Sequence, residues 1–191
     1  MKKKLVMIIA SMVFSLPLAF AQQTGGANPQ SSSDNEFVTK AAGGGLAEVQ
    51  LGQLAAQKAS NPDVKQFAQK MVDDHSRAND ELKNVASQKN VTLPTDLPPE
   101  EQQLRDRLQN MSGQEFDRTY MRHMVQDHVK DVAEFQREAT RGQDNDVKQF
   151  ASKTLPVLQQ HLKMARQVAS KVGASGARSS EGKSGASDQQ R

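Results

Sequence analysis

The sequence predicts an all-α protein: a four-helix bundle made from a duplicated helical hairpin, with a short extra helix in the crossover between the second and third long helices. Three observations carry this. Apolar residues recur at three- and four-residue steps over four long segments, and nothing alternates with period two over a useful length. Asp63-Val64-Lys65-Gln66-Phe67-Ala68 returns unchanged as Asp146-Val147-Lys148-Gln149-Phe150-Ala151, each copy just after a short turn. Two hairpins packed together, joined by one longer connection, make a bundle.

The first helix is expected to begin near Ser33, where Ser33 and Glu36 fit a capping box. It carries Phe37, Leu46, Val49, Leu51 and Leu54 and ends near Ser60. Asn61-Pro62 reads as a turn with Asn61 at the N-cap and Pro62 in the first helical position. The second helix is striped by Val64, Phe67, Ala68, Met71, His75, Ala78, Leu82 and Val85. Prolines between Asn90 and Pro98 interrupt the pattern, and a short helix follows from Pro99 to Asn110. Ser112 and Glu115 form a second capping box, opening a third long helix with Phe116, Tyr120, Met124, His128, Val132 (or Asp131) and Phe135 on one stripe. A polar link at Gly142 to Asn145 leads to the fourth, striped by Val147, Phe150, Ala151, Leu155, Leu158, Leu162, Ala165 and Val168. Aligning Phe37 with Phe116 sets Glu48 against Asp127, and the two short turns are expected at one end of the bundle.

The ends of the chain read differently. Lys2–Lys4, the apolar run Leu5 to Leu18 and Ala19-Phe20-Ala21 have the three parts of a secretory signal, cleaved after Ala21. The run is too short for a membrane span. Residues 22–32 and 173–191 lack the apolar content that offsets ordering entropy and are expected to be disordered, leaving one domain at 33–172. Periplasmic or secreted is the implied location. Three of the 25 basic residues belong to the signal, so the remainder match the 22 acidic ones. With no positive field, one Tyr and no Trp, a nucleic-acid partner is disfavoured. The chain has no Cys, so neither disulfide nor lipid attachment through cysteine is available.

Chemistry concentrates on histidines and acids. Met71-Val72-Asp73-Asp74-His75 and Met124-Val125-Gln126-Asp127-His128 share Met-Val-x-Asp-His, which puts His on the apolar stripe. Counting from the turns at 1.5 Å per residue places Glu48, His75, Asp127 or His128, and His161 in one middle layer, spread over roughly 7 Å. Asp74 and His75 are adjacent and point about 100° apart, so one member of each Asp–His pair faces inward and the other serves as an orienting partner. His123, four residues before Asp127, is placed to bridge to it on a more exposed face. The metal reading takes Glu48, Asp74, His75, Asp127, His128 and His161 as ligands for zinc, iron, manganese or copper. Met71, Met124 and Met164, each within a turn of a histidine, open a narrower copper option. The competing reading is a buried layer of His–Asp and His–Glu hydrogen bonds that fixes register.

Gly43-Gly44-Gly45 weakens the first helix by about 1 kcal/mol per glycine, which implies close approach of another helix or a gap for a ligand. Pro156 removes the hydrogen bond to Ser152 and implies a kink before His161. No nucleophile motif, phosphate loop or His-Glu-x-x-His is present.

Phe37 through Ala59 with Gly-Gly-Leu-Ala-Glu-Val-Gln-Leu-Gly, the two Met-Val-x-Asp-His motifs, Phe116-Asp117-Arg118-Thr119-Tyr120-Met121, and Leu155-Pro156 followed by His161-Leu162 resemble an exported bacterial family, domain of unknown function 4142 (DUF4142). The resemblance spans Phe37 to Val172 and implies a ferritin-like bundle; it implies no established activity. Di-iron ferritin-like bundles use Glu-x-x-His pairs, whereas Val72, Val125 and Leu158 stand three residues before the histidines here. That departure argues against a ferroxidase-type centre. The outer-membrane label the family sometimes carries is matched by no barrel-strand pattern. The functional expectation is an exported bundle that binds a metal or serves in envelope stress. A structural or interaction module, or a metal-dependent redox enzyme, are the alternatives.

Overall fold

The computed structural model describes residues 29–174, with side chains from residue 33 onward. The signal, the start of the expected linker and residues 175–191 lie outside the described residues. Five helices follow one another: α1 (Pro29–Lys58), α2 (Pro62–Lys89), α3 (Pro99–Gln109), α4 (Gly113–Arg141) and α5 (Asn145–Lys171). No strand occurs among the described residues. α1 packs chiefly on α2 and α4 on α5, with α2 against α5 and α1 against α4. This is the bundle of two hairpins that the pattern predicts, with α3 in the crossover.

Local chemistry sets the helix ends, sometimes differently from expectation. α1 starts at Pro29, so Ser33 lies within the helix and forms no capping box, and part of the expected linker is helical. Asn61 caps α2 by accepting from the Asp63 amide, with Pro62 in the first turn. Ser112 sits at the N-cap of α4 but its side chain makes no capping bond. Asp144 caps α5 through the amides of Asp146 and Val147. At the C-terminus of α5, Gly173 takes φ of 70°, and the Gly173 and Ala174 amides donate to Ser170 and Ala169. This is a Schellman stop, and it buries Ala174. Residues 173 and 174 are therefore ordered, where the tail was expected to have begun.

The two short turns lie at opposite ends, not at one end. Asp117, near the start of α4, accepts from the Ser60 amide (3.0 Å), the Ser60 hydroxyl and the Asn61 amide (2.9 Å) of the α1–α2 turn. Asp34, near the start of α1, accepts from the Gln143 (3.0 Å) and Asp144 (2.6 Å) amides of the α4–α5 turn. The crossover must accordingly run the length of the bundle, on the order of 40 Å for helices of this size, which is why it needs its own helix. Asp34 is separated from Asp117 by the same stretch of chain that separates Asp63 from Asp146. The duplication thus holds from cap to turn in a single register. In that register Glu48 corresponds to Asp131 rather than to Asp127.

The core has two apolar parts. One contains Leu51, Phe67, Met71, Phe116, Tyr120, Met124 and Ala165. The other contains Phe37, Leu82, Phe135, Phe150 and Leu158. The helical positions between them, at 75, 128 and 161, are histidines. Glycines allow close packing at specific points. A Cβ on Gly52 would meet Val72 Cγ2 at 2.9 Å and the Ala68 carbonyl at 3.0 Å, so Gly52 lets the α1 backbone approach the α2 backbone closely. In the triple-glycine run the neighbours are the crossover prolines, against Gly43, and the Asn79 side chain, against Gly45; Gly44 faces open space.

Candidate metal centre

His75 comes from α2, His128 from α4 and His161 from α5, with 7%, 0% and 1% exposure. Each lies on the apolar stripe of its helix, so burial of the stripe carries the imidazole inward. Ring centroids are 5.7 Å apart for His75–His128, 5.4 Å for His75–His161 and 5.5 Å for His128–His161. One ligand nitrogen from each ring lies within 4.8 Å of those of the other two.

The hydrogen bonds on the outer side of two of the rings define their tautomers. His128 Nδ1 is 2.9 Å from the Met124 carbonyl oxygen, which can only accept, so Nδ1 carries the proton and Nε2 keeps its lone pair. His161 Nε2 is 2.7 Å from Asp74 Oδ2, so it donates to the carboxylate and leaves Nδ1 free. The buried nitrogens without any partner are His75 Nε2, His128 Nε2 and His161 Nδ1. For His128 and His161 the unpartnered atom is a lone pair; no hydrogen bond fixes the tautomer of His75.

Electrostatics favours neutral rings. Burial, then the neighbouring His128 and His161, pushes His75 well below its ordinary range. Burial lowers His128 to about 4, against a smaller upward pull from the Met124 carbonyl. Burial also lowers His161, more than its bond to Asp74 raises it. Burial alone would raise the Asp74 carboxyl, but hydrogen bonds from Lys70, His161 and Arg77 prevail and hold it at about 2. The Lys70 ammonium stands 2.8 Å away and Arg77 also contacts it. Asp74 is therefore a fixed anion behind His161, oriented by two cations.

The remaining expected ligands have other positions. Glu48 is buried at 1% exposure, with its Oε1 3.5 Å from His128 Nδ1, the proton-bearing side of that ring. Burial, then the nearby Asp127, Asp131 and Glu101, push its carboxyl well above the ordinary range. Asp127 does not join the imidazoles. It groups with His123 and Glu101, each offering a ligand atom within 4.8 Å of the others. So the six residues expected as one ligand set divide into three imidazoles, one orienting carboxylate (Asp74), one buried acid (Glu48) and one member of a neighbouring group (Asp127). Glu101 carries no signal in the sequence beyond its place in the first turn of α3; only the course of the crossover brings it over α4.

A cavity of about 40 Å³ touches His75, bordered also by Gly45, Asn79, Asp131 and Leu158. That exceeds the ~10–15 Å³ a water needs, which leaves room for a small molecule against His75. The donor set fits a metal ion: three neutral imidazoles with lone pairs, a carboxylate behind one ring and a carbonyl behind another. Nitrogens on one tetrahedral zinc ion, with bonds of about 2.0–2.1 Å, stand about 3.4 Å apart, so the rings, whose ligand atoms lie within 4.8 Å of one another, would draw together on an ion.

The fold and this layer define a ferritin-like four-helix-bundle domain whose core is divided by buried histidines. The chain belongs to the DUF4142 family, described as a domain of unknown function, whose family model matches residues 19–168. None of the curated proteins compared with it matches. Among solved structures, it is similar to the crystal structure of a DUF305 protein from Streptomyces coelicolor described as secreted. The TM-score is 0.66 and the identity 12%, over 78% of this chain and 97% of that one. At that identity the likeness concerns the fold alone.

Proposed function

We propose that this protein is an exported bundle that holds one transition-metal ion, zinc or copper, on His75, His128 and His161. The observation that carries the reading is the convergence of three buried imidazoles, each with a ring nitrogen that lacks any hydrogen-bond partner. A buried polar atom left unpaired costs about 1–3 kcal/mol, and three in one layer are better explained by a shared ion than by a register-fixing network. A network of the latter kind satisfies its own members; here only the outer nitrogens of His128 and His161 are satisfied. The export reading rests on the signal pattern at residues 1–21, joined by the secreted description of the DUF305 relative in fold.

The test is calorimetric titration of untagged protein with Zn²⁺ and Cu²⁺, beside His128→Gln and His161→Gln. One bound ion per chain is expected to depend on these histidines, so that each variant binds one ion fewer than wild type while far-UV circular dichroism is kept. Equal metal binding by wild type and variants, or none by wild type, would refute the reading. At metal near 100 times Kd, the wild type should gain about 2.7 kcal/mol, a rise in Tm of several degrees.

A further inference from the structure

Beside the imidazole layer lies a group of different chemistry. Glu101 reaches in from the first turn of α3, while His123 and Asp127 project from successive turns of α4. His123 Nε2 is 3.0 Å from Glu101 Oε2, yet that buried oxygen has no hydrogen-bond partner, so the two atoms are close without being bonded to each other. Such a spacing is what two ligands at right angles on one ion show, since bonds of about 2.1 Å separate them by about 3.0 Å. Glu101 is 9% exposed. Behind the group, Glu48 is buried beside Asp127, with which it shares a hydrogen bond, and near Asp131 and Glu101.

Four acidic side chains gathered around His123, with Lys130 near Asp127 and Asp131, are an unfavourable arrangement unless protons or an ion neutralise the remaining charge. Access exists from outside. A cleft of about 550 Å³ is lined by Glu101, Asp127 and Asp131 on one side and by Gly43 and Gly44 on the other. A Cβ on Gly44 would touch nothing within 4 Å, so the cleft is open where a larger residue would narrow it. The triple-glycine run thereby acquires a role that helix packing alone does not give it.

We infer that Glu101, His123 and Asp127 form a second cation site, reached from this cleft and supported by Glu48, that takes a divalent first-row ion preferring mixed oxygen and nitrogen ligands. Two carboxylates and one imidazole suit manganese(II) or iron(II), whereas the all-imidazole layer suits zinc or copper. The two sites are chemically distinct, and Glu48 stands between them, near His128 on one side and Asp127 on the other. The inference does not depend on occupancy of the imidazole layer.

The experiment uses Mn²⁺ alone as probe on the full mature chain, with free Mn²⁺ followed by electron paramagnetic resonance. Wild type is expected to bind one Mn²⁺. Glu101→Gln and Asp127→Asn should each weaken binding by at least about tenfold, while His161→Gln leaves it unchanged. His123→Gln gives a further variant should either acid substitution disturb folding, as judged by helicity and Tm. Mn²⁺ binding that is indifferent to all three substitutions overturns the site. So does absence of binding by wild type, or loss of Mn²⁺ in His161→Gln alone.

Discussion

At the scale of single residues, the folded state holds neutral imidazoles in a layer with almost no solvent. That has a consequence for pH in the metal-free protein. An unfolded histidine titrates near 6.5, but His128 is lowered to about 4 by burial. Above pH 6.5 both states are neutral and the residue is indifferent to pH. As pH falls below 6.5 the unfolded chain takes up a proton that the folded chain refuses, so stability is lost until about pH 4. Wild type should therefore lose on the order of 3 kcal/mol relative to His128→Gln between pH 7.5 and 4, read from urea unfolding at both values. The buried acids Glu48, Asp127 and Asp131, raised mainly by burial, work in the opposite direction in both proteins and cancel in the comparison. The three imidazoles were legible in the sequence because histidine on an apolar stripe is conspicuous. Their partition from Asp127 was not: a difference of 100° between neighbours on a helix is fixed only once the facing helices are known.

At the scale of elements, caps and close approaches determine how the helices meet. Asp117 serves two amides and a hydroxyl of the α1–α2 turn. Asp117→Ala strands those donors and should cost about 2–3 kcal/mol in denaturant unfolding, with no effect on metal affinity. The glycines make an opposed pair. Gly52→Ala drives a methyl group into Val72 and the Ala68 carbonyl and should destabilise by about 1–3 kcal/mol. Gly44→Ala, with open space around the new methyl, should stabilise by about 0.5–1 kcal/mol. Thermal melts of the two variants check both signs. Helix existence and the Pro99 start of α3 were readable from periodicity and proline placement. The start of α1 was not, since Ser33 and Glu36 imitate a capping box inside a longer helix. The glycine run was read as close approach of another helix or a gap for a ligand; Gly45 does meet Asn79 of α2, whereas Gly43 meets the crossover prolines and Gly44 open space.

At the scale of the whole molecule, a polar layer lies between two apolar clusters, and a crossover as long as the bundle closes one side of it. The short turns stand at opposite ends, contrary to expectation, yet the estimated convergence of His75, His128 and His161 survives. Each lies near the middle of a helix of 27 to 29 residues, and a midpoint has nearly the same height counted from either end. Glu101 enters only through the crossover, whose path no periodicity encodes, so the sequence paired His123 with Asp127 by their four-residue spacing but missed the third member of the group. The proposed function rests on whether the three buried imidazoles share an ion. The most direct measurement is a crystal of zinc-loaded protein with anomalous scattering recorded at the zinc edge. A single strong peak within about 2.0–2.1 Å of His75 Nε2, His128 Nε2 and His161 Nδ1 is the predicted result. A map with peaks only on surface carboxylates, and the three rings turned from one another, would contradict it.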